Sequence, residues 1–406
     1  MTGQETTERA LEGIRVLEYC DMVAGPYCGK LLADLGAEVI KVEEPPAGDR
    51  ARRRGPFPND IPHPEKSGLF LYCNTNKLGV TLNVRTATGR EIFRRLARAV
   101  DVVIEDRPPG QMKEWGLDYE ELSALNRQLI MASLTPFGQS GPYRDYRCYT
   151  LNLHHCSGHS TEFFMARYLD PGREPLPPGG YVGEYDGGLN AAIAIIAALF
   201  GRIAIGEGQQ IDISKQETLL GLERVDVSRF ADASDASARI GMPVGGLLEC
   251  KDGYVILVMP QDHQWQGLLK AMGNPEWAQR EEYANELSRA QHIGEIQPRV
   301  VEWVGQFKKE DLYHLAQSHN VPVAPVNSPA DVFHSQQPQQ RGFFAEIDHP
   351  QAGRLSYPTV SYKFSETPWR GERAAPLLGE HNEEVYCRRL GYSHEELARL
   401  AAAGIV

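Results

Sequence analysis

No two cysteines in this chain are spaced Cys-x-x-Cys, and the seven present (Cys20, Cys28, Cys73, Cys148, Cys156, Cys250 and Cys387) are odd in number and scattered. That pattern excludes a disulfide framework and a thiolate zinc site, and predicts buried free thiols. A basic excess is also missing. With a formal net charge of −12, the chain lacks the basic face that nucleic acid requires, so no nucleic-acid partner is expected. The longest apolar run, Leu189–Phe200, falls short of the roughly 20 residues of a membrane span. The opening MTGQETTERALEG is polar, so neither a signal peptide nor a membrane is expected and the cytoplasm is the expected compartment.

What is present is an ordinary globular composition, 42% apolar and 9% aromatic over 406 residues. That length exceeds one small core and points to two domains with a cleft between them. Arg50-Ala51-Arg52-Arg53-Arg54 is the one dense basic run. It reads either as a solvated loop or as a lid over a phosphate-bearing ligand.

Hydrophobic period organises the first half. Ile14–Glu18 reads as a strand, Pro26–Leu35 as a helix opened by proline, and Glu38–Glu43 as a second strand. Further strands fall at Gly79–Val84, Val102–Glu105 and Leu129–Leu134, with an amphipathic helix at Thr88–Ala99. Such alternation predicts an α/β domain with a Rossmann-like parallel sheet. Glu43 or Glu44 would suit a ribose, but Val23-Ala24-Gly25-Pro26-Tyr27-Cys28-Gly29 lacks Gly-x-Gly-x-x-Gly, so a dinucleotide cofactor is not expected.

In Gly180–Glu217, Glu184 and Asp186 precede LNAAIAIIAALFGR, which is apolar on every side and reads as a buried helix from Gly187, with Asp186 as its N-cap. Gln210–Ile213 is a short strand, and Ser214-Lys215-Gln216-Glu217 has capping-box form. Beyond Val225, a hairpin at Leu247–Cys250 and Tyr254–Met259 and polar helices over His263–His319 suggest a smaller α+β domain. Pro322–Val326 reads as the return linker. The division is residues 1–224 and 333–406 against 225–332.

Several motifs in order resemble a family III CoA-transferase, the family of the formyl-CoA and carnitine-CoA transferases. They are Leu11-Glu12-Gly13-Ile14-Arg15-Val16-Leu17-Glu18, Ala24-Gly25-Pro26, Leu35-Gly36-Ala37-Glu38-Val39-Ile40-Lys41-Val42-Glu43, Asn74-Thr75-Asn76-Lys77, Asp101-Val102-Val103-Ile104-Glu105 and Pro376-Leu377-Leu378-Gly379-Glu380-His381. The resemblance implies a large domain built from both chain ends, interlocked dimers, and coenzyme A as co-substrate with no other cofactor. The partners it implies are an acyl-CoA, a small carboxylic acid and a homologous subunit. In such chemistry a carboxylate attacks the thioester to give a mixed anhydride, and the released thiolate then attacks the enzyme's own acyl group.

The nucleophile implied by the family is an aspartate, and its position here is Glu184; the extra methylene displaces the carboxylate by more than about 1 Å. Met22, Val23, Ala24, Lys77, Leu82, Asp106, Arg107 and Lys113 stand at implied CoA-binding positions. Asp106, Glu114 and Glu44 add negative charge where phosphates would approach. The family's racemase histidine falls at Tyr149, which removes that chemistry. His154, His155, Cys156 and His159 lack an acidic second shell and are expected to hold no metal. Gly245-Gly246 stands where some relatives carry a glycine-rich loop, though it fits any turn. The expectation is a silent subunit of a heteromer, with succinyl-CoA as donor and an aromatic dicarboxylate such as benzylsuccinate as acceptor. A homodimer using Glu184 and a non-enzymatic acyl-CoA-binding protein remain as alternatives.

Overall fold

The computed structural model describes residues 9–158, 174–176, 178–222, 244–259 and 261–406. Two compact units divide the chain: one combines Met1–Phe163, Pro175–Arg224 and Arg341–Val406, and the other is built chiefly from Val225–Gln340.

In the larger unit six strands, β1 (Arg15–Tyr19), β2 (Glu38–Glu43), β3 (Lys77–Thr81), β4 (Val102–Glu105), β5 (Ile130–Thr135) and β6 (Gln210–Ser214), form one sheet in the order β3-β2-β1-β4-β5-β6. Every neighbouring pair is parallel. Because side chains alternate along a strand, Val16, Val39 and Val102 enter one core and Leu17, Ile40 and Val103 the other. The first core is closed by α1 (Ala24–Asp34) and by a long helix, Val182–Ile205. The second is closed by Ile92, Phe93 and Leu96 of the amphipathic helix Ala87–Arg98, and by Val385, Tyr386 and Val406.

Both ends of the chain therefore build this sheet's surroundings. The returning segment is stitched to β3: His381 Nδ1 accepts from the Gly79 N–H at 3.1 Å, Asn382 Oδ1 from the Thr81 N–H at 2.9 Å, and the Tyr386 hydroxyl donates to the Thr81 carbonyl at 2.6 Å. The motif ending in Gly379-Glu380-His381 is thus an edge seal.

Two sequence expectations are corrected here. The long helix begins at Val182 with Tyr181 as N-cap, so Asp186 lies inside it and is not its cap. Nor is that helix buried all round within this chain. Gly187, Gly188, Ala191, Ala192 and Ile195 face the core, whereas Leu189, Ile193, Phe200 (78% exposed) and Ile203 (82% exposed) face outward. Small residues let the inner face approach α1 closely: a Cβ on Gly188 would lie 2.4 Å from the Ala24 carbonyl oxygen. By length and composition this helix could cross a membrane, but its glycine–alanine face is packed on α1 and the strands.

The smaller unit carries an antiparallel sheet of β7 (Gly245–Cys250), β8 (Gly253–Val258) and β9 (Val323–Pro325). Pro322–Val326, read as a linker, thus supplies an edge strand, where its prolines cost little hydrogen bonding. Gly245 and Gly246 are strand residues with positive φ, paired with Val258 and Leu257, and not a free loop. Trp265, Leu268, Val300 and Leu312 from flanking helices fill this unit's core.

Candidate active site

From β1 the chain steps outward to β2 and β3 on one side, then returns to β4 and runs outward through β5 and β6 on the other. In such a sheet the two directions of connection part at the carboxyl ends of β1 and β4, leaving a crevice. A cavity of about 340 Å³ opens there, lined by Tyr19, Asp21, Glu43, Glu44, Arg50, Arg53, Arg85 and Arg107 among others. Four guanidinium groups around one cavity suit a polyanion.

Three of the four already hold carboxylates. Arg50 Nε lies 3.1 Å from Asp21 Oδ2 and Arg85 Nε 2.6 Å from Glu44 Oε1. Arg107 pairs with Asp106, approaches Asp21 at 3.6 Å and stacks over the Tyr19 ring at 4.7 Å. Arg53 has no counter-ion among the described residues.

Glu43 and the residues beside it form the crevice's dry floor. Arg52, fully buried, holds both Glu43 oxygens at 2.7 Å, reaches Glu65 at 2.5 Å and covers the Phe70 ring at 3.7 Å. Lys41 bridges Glu18 at 3.0 Å and Asp49 at 2.8 Å; Lys77 holds the other Glu18 oxygen at 2.7 Å. Burial pulls the Lys77 ammonium below its ordinary value, with Glu18 opposing it. The basic run is therefore split: Arg52 is structural, while Arg50 and Arg53 line the cavity.

A second cavity, of about 200 Å³, is lined by Glu105, Lys113, Ser133 and Arg144 among others. Burial raises Glu105 to about 7, against hydrogen bonds from Ser133 and from the Arg107 N–H at 2.7 Å.

Glu184 stands in the first turn of the long helix, where free N–H groups favour negative charge. β6 ends at Ser214, and Lys215 directly after it places its ammonium 2.8 Å from Glu184 Oε2 and 3.0 Å from Oε1. The Thr150 hydroxyl lies 3.4 Å from Oε1. His154 is buried and its Nε2 accepts from the Gly183 N–H at 3.4 Å, so it helps to seat the helix start. Met22, Tyr72, Tyr181 and Tyr185 pack together around this end, and the Tyr27 and Tyr185 rings meet edge-on at 4.9 Å.

Of the residues expected to bind CoA, Arg107 lines the larger cavity and Lys113 the smaller. Met22 holds a positive φ and donates its N–H to Asp49 at 2.9 Å, which turns the chain from β1 into α1. Val23 and Ala24 are buried at that turn. Asp106 accepts from the Asp21 N–H at 2.9 Å as well as pairing with Arg107. Two expectations are displaced. Lys77 is fully buried with its protons spent on Glu18, Asn74 and the Pro26 carbonyl, and Leu82 is a fully buried core residue. Neither faces a cavity described here. Glu43, once a ribose candidate, is committed to Arg52. His155 and Cys156 are exposed, and His159 lies outside the described residues.

Sequence reasoning passed over Lys215, Arg85 and Thr150. Lys215 had a signal, a lone lysine immediately after a strand, but it was absorbed into the capping pattern. The Ser214 hydroxyl does accept from the Glu217 N–H at 3.2 Å.

A cation-lined crevice and a carboxylate at a helix start, both at the carboxyl edge of one sheet, suit a phosphate-bearing thioester and acyl transfer onto oxygen. Comparison with known proteins agrees. The sequence matches CoA-transferase family III over residues 11–382. It is 33% identical to the succinyl-CoA–L-malate CoA-transferase alpha subunit of Chloroflexus aurantiacus over 100% of this chain and 94% of that one. It is 30% identical to a formyl-CoA:oxalate CoA-transferase of Rhodopseudomonas palustris over 98% and 97%. A solved CAIB/BAIF family protein from Brucella suis superposes with a TM-score of 0.82 at 32% identity, covering 94% of this chain and 99% of its own. The fold, the crevice and these likenesses together make the chain a member of CoA-transferase family III.

Proposed function

We propose that this chain is the non-catalytic subunit of a heteromeric CoA-transferase that moves CoA from succinyl-CoA to a carboxylic acid, an aromatic dicarboxylate such as benzylsuccinate. Its partner is a homologous subunit that carries the family aspartate, interlocked with it in the cytoplasm. CoA is the co-substrate, and no other cofactor takes part.

The observation that carries this reading is the charge inside the larger cavity. Arg50, Arg85 and Arg107 are already paired with Asp21, Glu44 and Asp106. Phosphates entering there must displace carboxylates from their cations, and each displaced like charge opposes binding. Replacement of the family aspartate by Glu184 adds to it, since an organised site tolerates little misplacement. The outward apolar face of the long helix, Leu189, Ile193, Phe200 and Ile203, supports a subunit that is covered by another.

The test is to purify the chain alone and with the product of a neighbouring similar gene, then assay acyl-CoA:acid transfer. Activity that requires both chains and survives Glu184→Ala is the expected result. Activity from the chain alone that disappears in Glu184→Ala overturns the reading in favour of a self-sufficient homodimer.

A further inference from the structure

Lys215 is built into place more firmly than a surface lysine. It follows directly on β6, and its stem lies in the slot left by Gly187: a Cβ there would sit 3.1 Å from Lys215 Cγ. The ammonium reaches both oxygens of Glu184, at 2.8 and 3.0 Å. Both side chains are largely withdrawn from water, 13% and 12% exposed. An ion pair in that setting is screened far less than one on an open surface.

A carboxylate becomes a nucleophile by directing an oxygen lone pair at a carbonyl carbon. Here one ammonium draws charge from both oxygens, and Thr150 stands by Oε1 at 3.4 Å. Each contact lowers the nucleophilicity of the oxygen it touches, and drawing an oxygen away from the ammonium to attack adds part of the energy of a charge-assisted hydrogen bond to the barrier.

We infer that Lys215 is a positioning residue that withholds Glu184 from covalent catalysis, acting as an internal counter-ion that locks the carboxylate against the end of β6. This rests on the reading of the chain as a silent subunit, and adds Lys215 to the extra methylene as a cause of the silence at Glu184. Released from Lys215, Glu184 adds through one oxygen to the thioester carbonyl carbon. The C–S bond breaks and CoA leaves as its thiolate, giving a mixed anhydride. The thiolate attacks the Glu184 acyl carbon, the anhydride C–O bond breaks, and the donor acid leaves as a carboxylate. The product is a glutamyl-CoA thioester, with no net change in protons or electrons.

The experiment uses the full chain, both alone and in complex with its partner, incubated with succinyl-CoA and trapped with borohydride. Peptide mapping by mass spectrometry then counts label at Glu184 specifically. Lys215→Met keeps an apolar stem for the Gly187 slot, and Lys215→Gln keeps a neutral donor; melting curves establish that at least one is folded. Label at Glu184 should be absent in the wild type and rise about tenfold or more above background in the folded variant, the scale of one charge-assisted bond. It should vanish again when Glu184→Gln is added, and it is the rise in the folded Lys215 variant that a merely structural lysine would not produce. No label in the wild type or in either folded variant overturns the lock while leaving the silent-subunit reading intact. Wild-type label equal to that of the variants overturns both.

Discussion

Glu43 has Arg52 on one side and an open cavity on the other, and the ions on its two sides behave differently. On the floor, Arg52, Lys41, Lys77, Glu18 and Asp49 are all buried, and each cation is held at 2.7–3.0 Å by a carboxylate that cannot turn to water. In the crevice, Arg50 and Arg85 keep 56% and 69% of their side-chain surface exposed, although they also hold carboxylates. The same pairing of charges fixes strand ends where water is excluded and leaves exchangeable partners where it is not. Charge count alone does not separate a scaffold from a binding surface; dehydration does.

The sharpest way to break that contrast is Arg52→Met. It strands Glu43 in a dry site, and the chain should lose about 3–5 kcal/mol in chemical denaturation. A loss below about 1 kcal/mol would place the floor with the crevice.

Glu105 tests the next case, a buried carboxylate beside Ser133 with no cation bonded to its oxygens among the described residues. Its folded value lies above its unfolded one, so its contribution to stability is complete below about pH 4.5 and is lost as pH rises through about 7. Between those limits the wild type should lose about 3 kcal/mol relative to Glu105→Gln. Stability curves of the two that stay parallel from pH 4.5 to 8 would refute the assignment.

The long helix and α1 meet at Gly188. In Gly188→Ala the new methyl presses on the Ala24 carbonyl, with an expected cost of about 1–3 kcal/mol by thermal melting. An unchanged melting temperature would show that the two helices can part freely.

Smallest of all should be Arg85→Ala. Removal of this exposed partner of Glu44 should change stability by less than about 1 kcal/mol, measured by denaturant titration. A loss as large as that of Arg52→Met would erase the distinction between crevice and floor.

Much of this was legible in the residues. Alternating Val and Leu in Arg15-Val16-Leu17-Glu18 and its successors announced a sheet with two buried faces, because period 2 survives any tertiary setting. That Lys77 and Leu82 are buried was not legible, since burial depends on neighbours remote in sequence, such as Glu18 for the first and the core under the helix Ala87–Arg98 for the second. The outward face of the long helix misled for a related reason: an all-apolar helix reads as buried even where its own chain leaves one face uncovered.

The sequence by itself determined the parallel α/β architecture and the family, because these rest on local periodicity and on motif order. Only the tertiary structure decided which charges are scaffold and which are surface, and that Lys215 closes on Glu184. Both depend on through-space meetings: Arg52 with Glu43 across a turn, and the end of β6 with the first turn of a helix that begins more than thirty residues earlier by count of Lys215 from Val182. No spacing rule encodes a contact of that kind; it exists only once the sheet has brought its strand ends to one edge.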